Sequence, residues 1–188
     1  IFKFFLKWWG LPMAVIVLLV GGSSLNLKTW YWDSFIHAGI ATQFAELLLS
    51  PVKFGYFSGI IGGVLVDMVT PWKSFLLISF VAFWSIEILA TIALSDFNFI
   101  YCIISTLFLF LTGLCGSVAT LCAIVCTLWN FTPKYSPLVL LILVTYMKLI
   151  NEWDESVRKG AFGAFSNATY LYVSGFMVAG VYLLAVFL

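Results

Sequence analysis

This sequence predicts an all-α membrane protein, a single bundle of six transmembrane helices, and three observations predict it. Of 188 residues, 63% are apolar and only 9% charged, the mean hydropathy is +1.12, and long apolar runs recur from one end of the chain to the other. A soluble domain carries roughly 25% charged residues, so this composition cannot build an aqueous surface. A span needs about 20 mostly apolar residues to cross a hydrocarbon core ~30 Å thick. Runs of that kind cover residues 11–27, 51–69 (or 34–69), 74–94, 99–128, 137–150 with a possible extension, and 168–188.

Residues 2–9 (FKFFLKWW) combine aromatic and lysine anchors, an interfacial lead-in to the first span rather than a cleaved signal. Before the second span, Ser34, His37, Gln43, Glu46 and Ser50 recur mostly at spacings of three and four, the polar stripe of an amphipathic helix. This segment either extends the second span, with Pro51 as a kink, or lies at the membrane interface. Inside the bilayer its stripe must face protein or a water-filled cavity. The second span holds the most informative pattern, Gly55, Gly59 and Gly63 followed by Asp67. Glycine at every fourth position strips one stripe of a helix of side chains, so a neighbour can approach backbone to backbone.

The turn Thr70-Pro71-Trp72-Lys73 opens the third span, which holds Glu87 between Trp84 and Thr91 with no cation inside the span. An ionisable group at that depth is a candidate proton-coupling site or substrate contact. Its structural alternative is a neutral side chain hydrogen-bonded to a neighbouring helix, or one that meets lipid headgroups. The fourth span carries Gly113 and Gly116 as a small-residue patch and has no lysine or arginine. Residues 130–134 (NFTPK) lead into the fifth span, and the charged residues 151–159 separate the last two. With the N-terminus on the cytosol-like side, Lys3, Lys7, Lys73 and Lys134 share that side, while Lys28, Asp33, Asp96 and residues 151–159 fall opposite. Six spans return both ends to one side.

The glycine ladder, Asp67 and the short turn ending at Lys73 together resemble the loop between the second and third helices of the major facilitator superfamily. In that family a glycine, an acid four residues later and a basic residue beyond the turn form a conformational latch, matched here by Gly63, Asp67 and Lys73. Thr70 stands where the family usually has a glycine, and Met68 and Pro71 replace flanking arginines. Gly113, Gly116, the Asn130-Phe131-Thr132-Pro133 loop and Pro71-Trp72 resemble the nodulin-like branch. The resemblance implies one half of a two-bundle secondary transporter, with a small solute held between the halves. It also implies a second six-helix half as partner. The residues themselves offer Glu87, and His37 and Glu46 on the polar stripe, as candidate cavity or coupling groups, the histidine's alternative being a hydrogen bond at the interface.

Net charge is +1, with eight lysines and the single arginine Arg158, so no concentrated basic face exists for nucleic acid. Cys102, Cys115, Cys122 and Cys126 lie in apolar sequence, lack metal-site spacing with histidine, and read as small apolar fillers. The one histidine, His37, cannot supply bis-histidine haem ligation, and no Ser/His/Asp set or phosphate-cradling loop is present. Neither an enzyme nor a bound cofactor or metal is expected. The chain opens at Ile1 and closes at Leu188 within an apolar run, which reads as a piece of something longer. The function expected is alternating-access transport of a small solute. The rival, from another class, is a non-transporting accessory or structural subunit of a large membrane complex, such as a respiratory assembly, surrounded by lipid and other membrane subunits.

Overall fold

A computed structural model describes residues 2–23, 32, 35–36, 39–94, 99–148 and 167–187. Regular structure among the described residues is helical throughout: α1 (Phe2–Ser23), α2 (Thr42–Leu49), α3 (Pro51–Phe57), α4 (Gly59–Val69), α5 (Pro71–Leu94), α6 (Phe99–Asn130), α7 (Ser136–Lys148), α8 (Asn167–Leu184) and a closing 3-10 turn, Ala185–Phe187. Two stretches are long and apolar enough to cross a membrane, Pro71–Ile92 and Ile100–Asn130. A third crossing forms if Thr42–Phe57 and Gly59–Val69, bent by 41° at their junction, count as one span. Shorter apolar stretches, Trp9–Gly22, Ser136–Tyr146 and Thr169–Leu184, complete the set.

The 32-residue α6 is the mast of the bundle. It packs against α1, α3, α4 and α5, and more lightly against α7, while α8 lies along α5. Small side chains set its inner face: Cys115, Val118, Ala119, Cys122 and Ala123 are all buried in the larger of two apolar clusters, with Phe75, Val17, Leu18 and Tyr182 around them. A second cluster joins Leu49, Val52, Leu89, Leu109 and Leu171 at the other end. All four cysteines are free thiols, three of them fully buried and Cys126 half-buried.

A hydroxyl in hydrocarbon needs an internal partner. Ser105, Thr112, Thr120 and Thr127 each donate to the carbonyl four residues back, at 2.6–2.8 Å, so α6 carries polar residues without leaving them unsatisfied.

The bend in the second span does not fall at Pro51. Ser50 keeps helical dihedrals (φ −63°, ψ −30°), so α2 runs on into α3, and Pro51 sits at the first position of a helix, where its missing N–H costs little. The amphipathic segment from Thr42 onward is therefore continuous in helix with the residues after Pro51. The chain breaks at Ser58 (ψ 35°) instead. Gly55 and Gly59 flank it, each about 1 kcal/mol poorer than alanine in a helix. The Ser58 hydroxyl also donates to the Gly55 carbonyl, competing with the helical ladder.

Candidate functional site

Three features could carry function: a glycine crossing, a buried polar cluster beside the break, and Glu87 in the seam between α5 and α8.

At the crossing, α3 and α6 meet backbone to backbone. A Cβ built on Gly55 would fall on the Phe110 carbonyl oxygen and lie 2.9 Å from the Leu114 nitrogen. One built on Gly113 would fall on the Val52 carbonyl oxygen and lie 3.0 Å from the Tyr56 nitrogen. Farther along, the predicted stripe and the observed one part. Gly59 makes ordinary contact with Ser117 at 3.7 Å, and Gly62 then meets Leu121 and Val118 at 3.0 and 3.2 Å, while Gly63 has nothing within 4 Å. The break at Ser58 falls between Gly55 and this part of the stripe, so a count from Gly55 does not carry across it, and within α4 the buried positions are Gly62 and Val66. Gly55, Gly59, Gly62 and the buried Val66 thus form the packed stripe. Gly116 is buried on α6, and its carbonyl lies 3.1 Å from where a Cβ on Gly21 of α1 would sit.

That second approach belongs to the polar cluster. Thr120 Oγ1 is 3.3 Å and Tyr182 Oη 3.6 Å from the same point beside Gly21, and Tyr56 Oη lies 3.4 Å from Thr120 Oγ1. Hydroxyls from α3, α6 and α8 therefore meet at the end of α1, just below the break at Ser58. Tyr56, Thr120, Tyr182 and Gly21 were not singled out from the sequence, because tyrosine and threonine in apolar runs read as ordinary span residues. Their convergence is tertiary.

Glu87 lies on the face of α5 turned to α8. Its Oε1 is shut off from solvent with no hydrogen-bond partner, and a Cβ on Gly175 would come within 2.6 Å of it. The side chain as a whole is only partly buried. Glycine at 175 is what makes room for the carboxyl. One turn on, Thr91 Oγ1 pairs with Tyr172 Oη of α8 at 3.1 Å, and two turns back Ser79 Oγ donates to the Ala179 carbonyl at 2.9 Å.

The latch-like residues are set apart from these features. Asp67 is exposed near the end of α4, and Lys73 is exposed with its ammonium 5.4 Å from the Trp72 ring centroid. Among the described residues no ion pair joins them. Between them Thr70 adopts φ 73°, ψ 143°, a backbone region that favours glycine, while its carbonyl accepts from both the amide and the hydroxyl of Ser74 at 3.0 Å. Glu46 is exposed on α2. His37 lies outside the described residues. No group of three or more potential metal ligands occurs among the described residues.

No protein family, curated protein or solved structure matches this chain.

Proposed function

We propose that this chain is a six-span half-bundle of a major-facilitator-type, nodulin-like secondary transporter, moving a small solute by alternating access. The observation that carries the reading is the break at Ser58. Transporter sites near the midplane are built from discontinuous helices, whose half-helix ends and freed backbone groups meet the solute or ion. The eleven residues of α4 place Ser58 about 16 Å from the Val69 end, close to half of a ~30 Å core. Next to the break, the Ser117 hydroxyl lies 3.7 Å from where a Cβ on Gly59 would sit, and Tyr56, two residues before the break, meets Thr120 through its hydroxyl.

The order of packing also supports the reading. If α1, α2–α4 and α5 form one repeat and α6, α7 and α8 the other, the contacts α1–α6 and α5–α8 join equivalent helices. The contact of α3 with α6 is then matched by that of α7 with α1, and α5–α6 by α8–α1. A nested three-plus-three repeat has this symmetry. Thr70, at the position where the family usually has a glycine, adopts a backbone conformation that favours glycine, which fits the reading.

A cysteine at Ser58 tests this. The four native thiols are buried or half-buried inside the bundle. In reconstituted vesicles, Ser58→Cys is expected to react with a membrane-impermeant maleimide applied from either side. Reaction from one side only, or from neither, would sink alternating access. The accessory-subunit reading would then stand, favoured by a Glu87 turned into a helix seam and by the unpaired Asp67 and Lys73.

A further inference from the structure

We infer that the end of the bundle where α1, α5 and α7 begin is a binding surface for anionic phospholipid headgroups. One apolar cluster joins Met13 of α1, Val66 of α4, Phe75 of α5, Val139 of α7 and the partly buried Leu128 of α6, so these helix ends lie together. Four of the five helices bear an aromatic ring there, at the edge of an apolar stretch. The stretches Trp9–Gly22, Pro71–Ile92, Ile100–Asn130 and Ser136–Tyr146 are bounded at this end by Trp9, Trp72, Trp129 and Tyr135. All four rings are exposed, and at 62% and 73% exposure Trp9 and Trp129 are no part of the core. Rings with an apolar body and a polar edge collect where hydrocarbon meets headgroups, so the four mark one membrane boundary.

The charge at that boundary is one-sided. Lys73 follows Trp72 and Lys134 precedes Tyr135, and both lysines are exposed. Their ammonium groups lie 5.4 and 5.9 Å from the centroids of those rings. A ring face attracts a cation, so each pair holds its ammonium at the depth of the headgroups. The sequence adds Lys3 and Lys7 near the start of α1, and Asp67 is the acid at this end. Four lysines against one aspartate give this end +3, so in a chain of net charge +1 the remainder carries −2. Charge of that sign selects a phosphate without a compensating amine, because the choline of phosphatidylcholine already neutralises its own phosphate. The exposed tryptophans choose between lipid and free phosphate, since a dissolved anion brings no hydrocarbon for them to enter. The surface is a property of the bundle and holds whether or not the chain moves a solute.

Association with spin-labelled lipids tests the surface. In phosphatidylcholine vesicles at low salt, labelled phosphatidylglycerol is expected to associate at least fivefold more strongly than labelled phosphatidylcholine, because one lysine near an anionic surface is worth about fivefold. Salt at about 1 M, where the screening length falls to ~3 Å, should bring the two lipids within roughly twofold. The double variant Lys73→Gln, Lys134→Gln should do the same at low salt, with an unchanged melting temperature in neutral detergent because both side chains are exposed. Lys53→Gln removes an exposed lysine from α3, beside Val52 of the other apolar cluster, and should keep the full preference. Equal association of the two lipids, a preference that survives salt or the double variant, the same loss in Lys53→Gln, or displacement of phosphatidylglycerol by soluble glycerophosphate would each overturn the assignment.

Discussion

Gly55 and Gly113 show most directly how one atom decides a helix crossing. Each occupies a point where a methyl group would strike main-chain atoms of the other helix, and a backbone cannot swing aside as a side chain can. Overpacking a tight core typically costs about 1–3 kcal/mol, and a clash with rigid backbone belongs at the upper end. Gly113→Ala should therefore destabilise the bundle by about 3 kcal/mol. Gly63→Ala should be neutral or stabilising by up to about 1 kcal/mol, because its surroundings are open and alanine is the better helix former. Thermal unfolding of both variants in one detergent checks the pair, and equal losses would place the packed stripe at the wrong register. The sequence made the close approach legible through Gly55, Gly59 and Gly113. It also suggested Gly63 where the structure uses Gly62, because a count by fours from Gly55 runs through the break at Ser58, which resets the face that α4 buries.

Among the elements, the second span departs most from a uniform rod, and its irregularities have separate causes. The apolar run from Pro51 to Val69 reads as one helix, because the sequence contains no further proline to interrupt it. The interruption comes instead from two glycines and a serine whose hydroxyl finds a carbonyl one turn back, a local competition that periodicity does not register. Glu87 was legible as an intramembrane acid, but not its neighbour. The fit of its carboxyl over Gly175 depends on which face of α8 turns inward, and hydropathy does not specify this for a helix that is apolar all round. At the α4–α5 turn, Thr70 is held at φ 73° by Pro71 opening the next helix and by Ser74 tying down its carbonyl. A β-branched residue in such a conformation costs about 1–3 kcal/mol. Glycine removes that strain and gives back roughly 0.5–1 kcal/mol through its freer unfolded state. Thr70→Gly is accordingly expected to raise stability by about 1 kcal/mol, with Thr70→Ala showing no comparable gain. Melting temperatures of the two variants decide it, and a destabilising glycine would contradict the strained turn.

For the molecule as a whole, two stretches are long and apolar enough to cross, a third if the bent pair counts as one span, and α7 contains the shortest of the remaining apolar stretches. Its 13 residues extend only about 20 Å, short of a ~30 Å core, so length alone would make it a partial insertion. Its surface says otherwise. Val139 and Leu143 are buried four residues apart, and α7 packs against α1 and α6, so one stripe belongs to the bundle. Leu138, Leu140, Leu141 and Val144 are exposed on the remaining surface, and a helix apolar on all sides with no polar face has hydrocarbon as its natural surroundings. An interfacial helix would need a charged or polar side to lie toward water, and residues 136–146 supply only Ser136, Thr145 and Tyr146. Thr145 already turns its hydroxyl back to the Leu141 carbonyl at 2.8 Å. The fifth segment is therefore expected to complete a crossing. An epitope inserted after Pro133 and another after Asp154 should be recognised from opposite sides of sealed vesicles. Recognition of both from the same side would make α7 re-entrant, reduce the bundle below six spans, and remove the symmetric counterpart that the broken second span needs in a transporter.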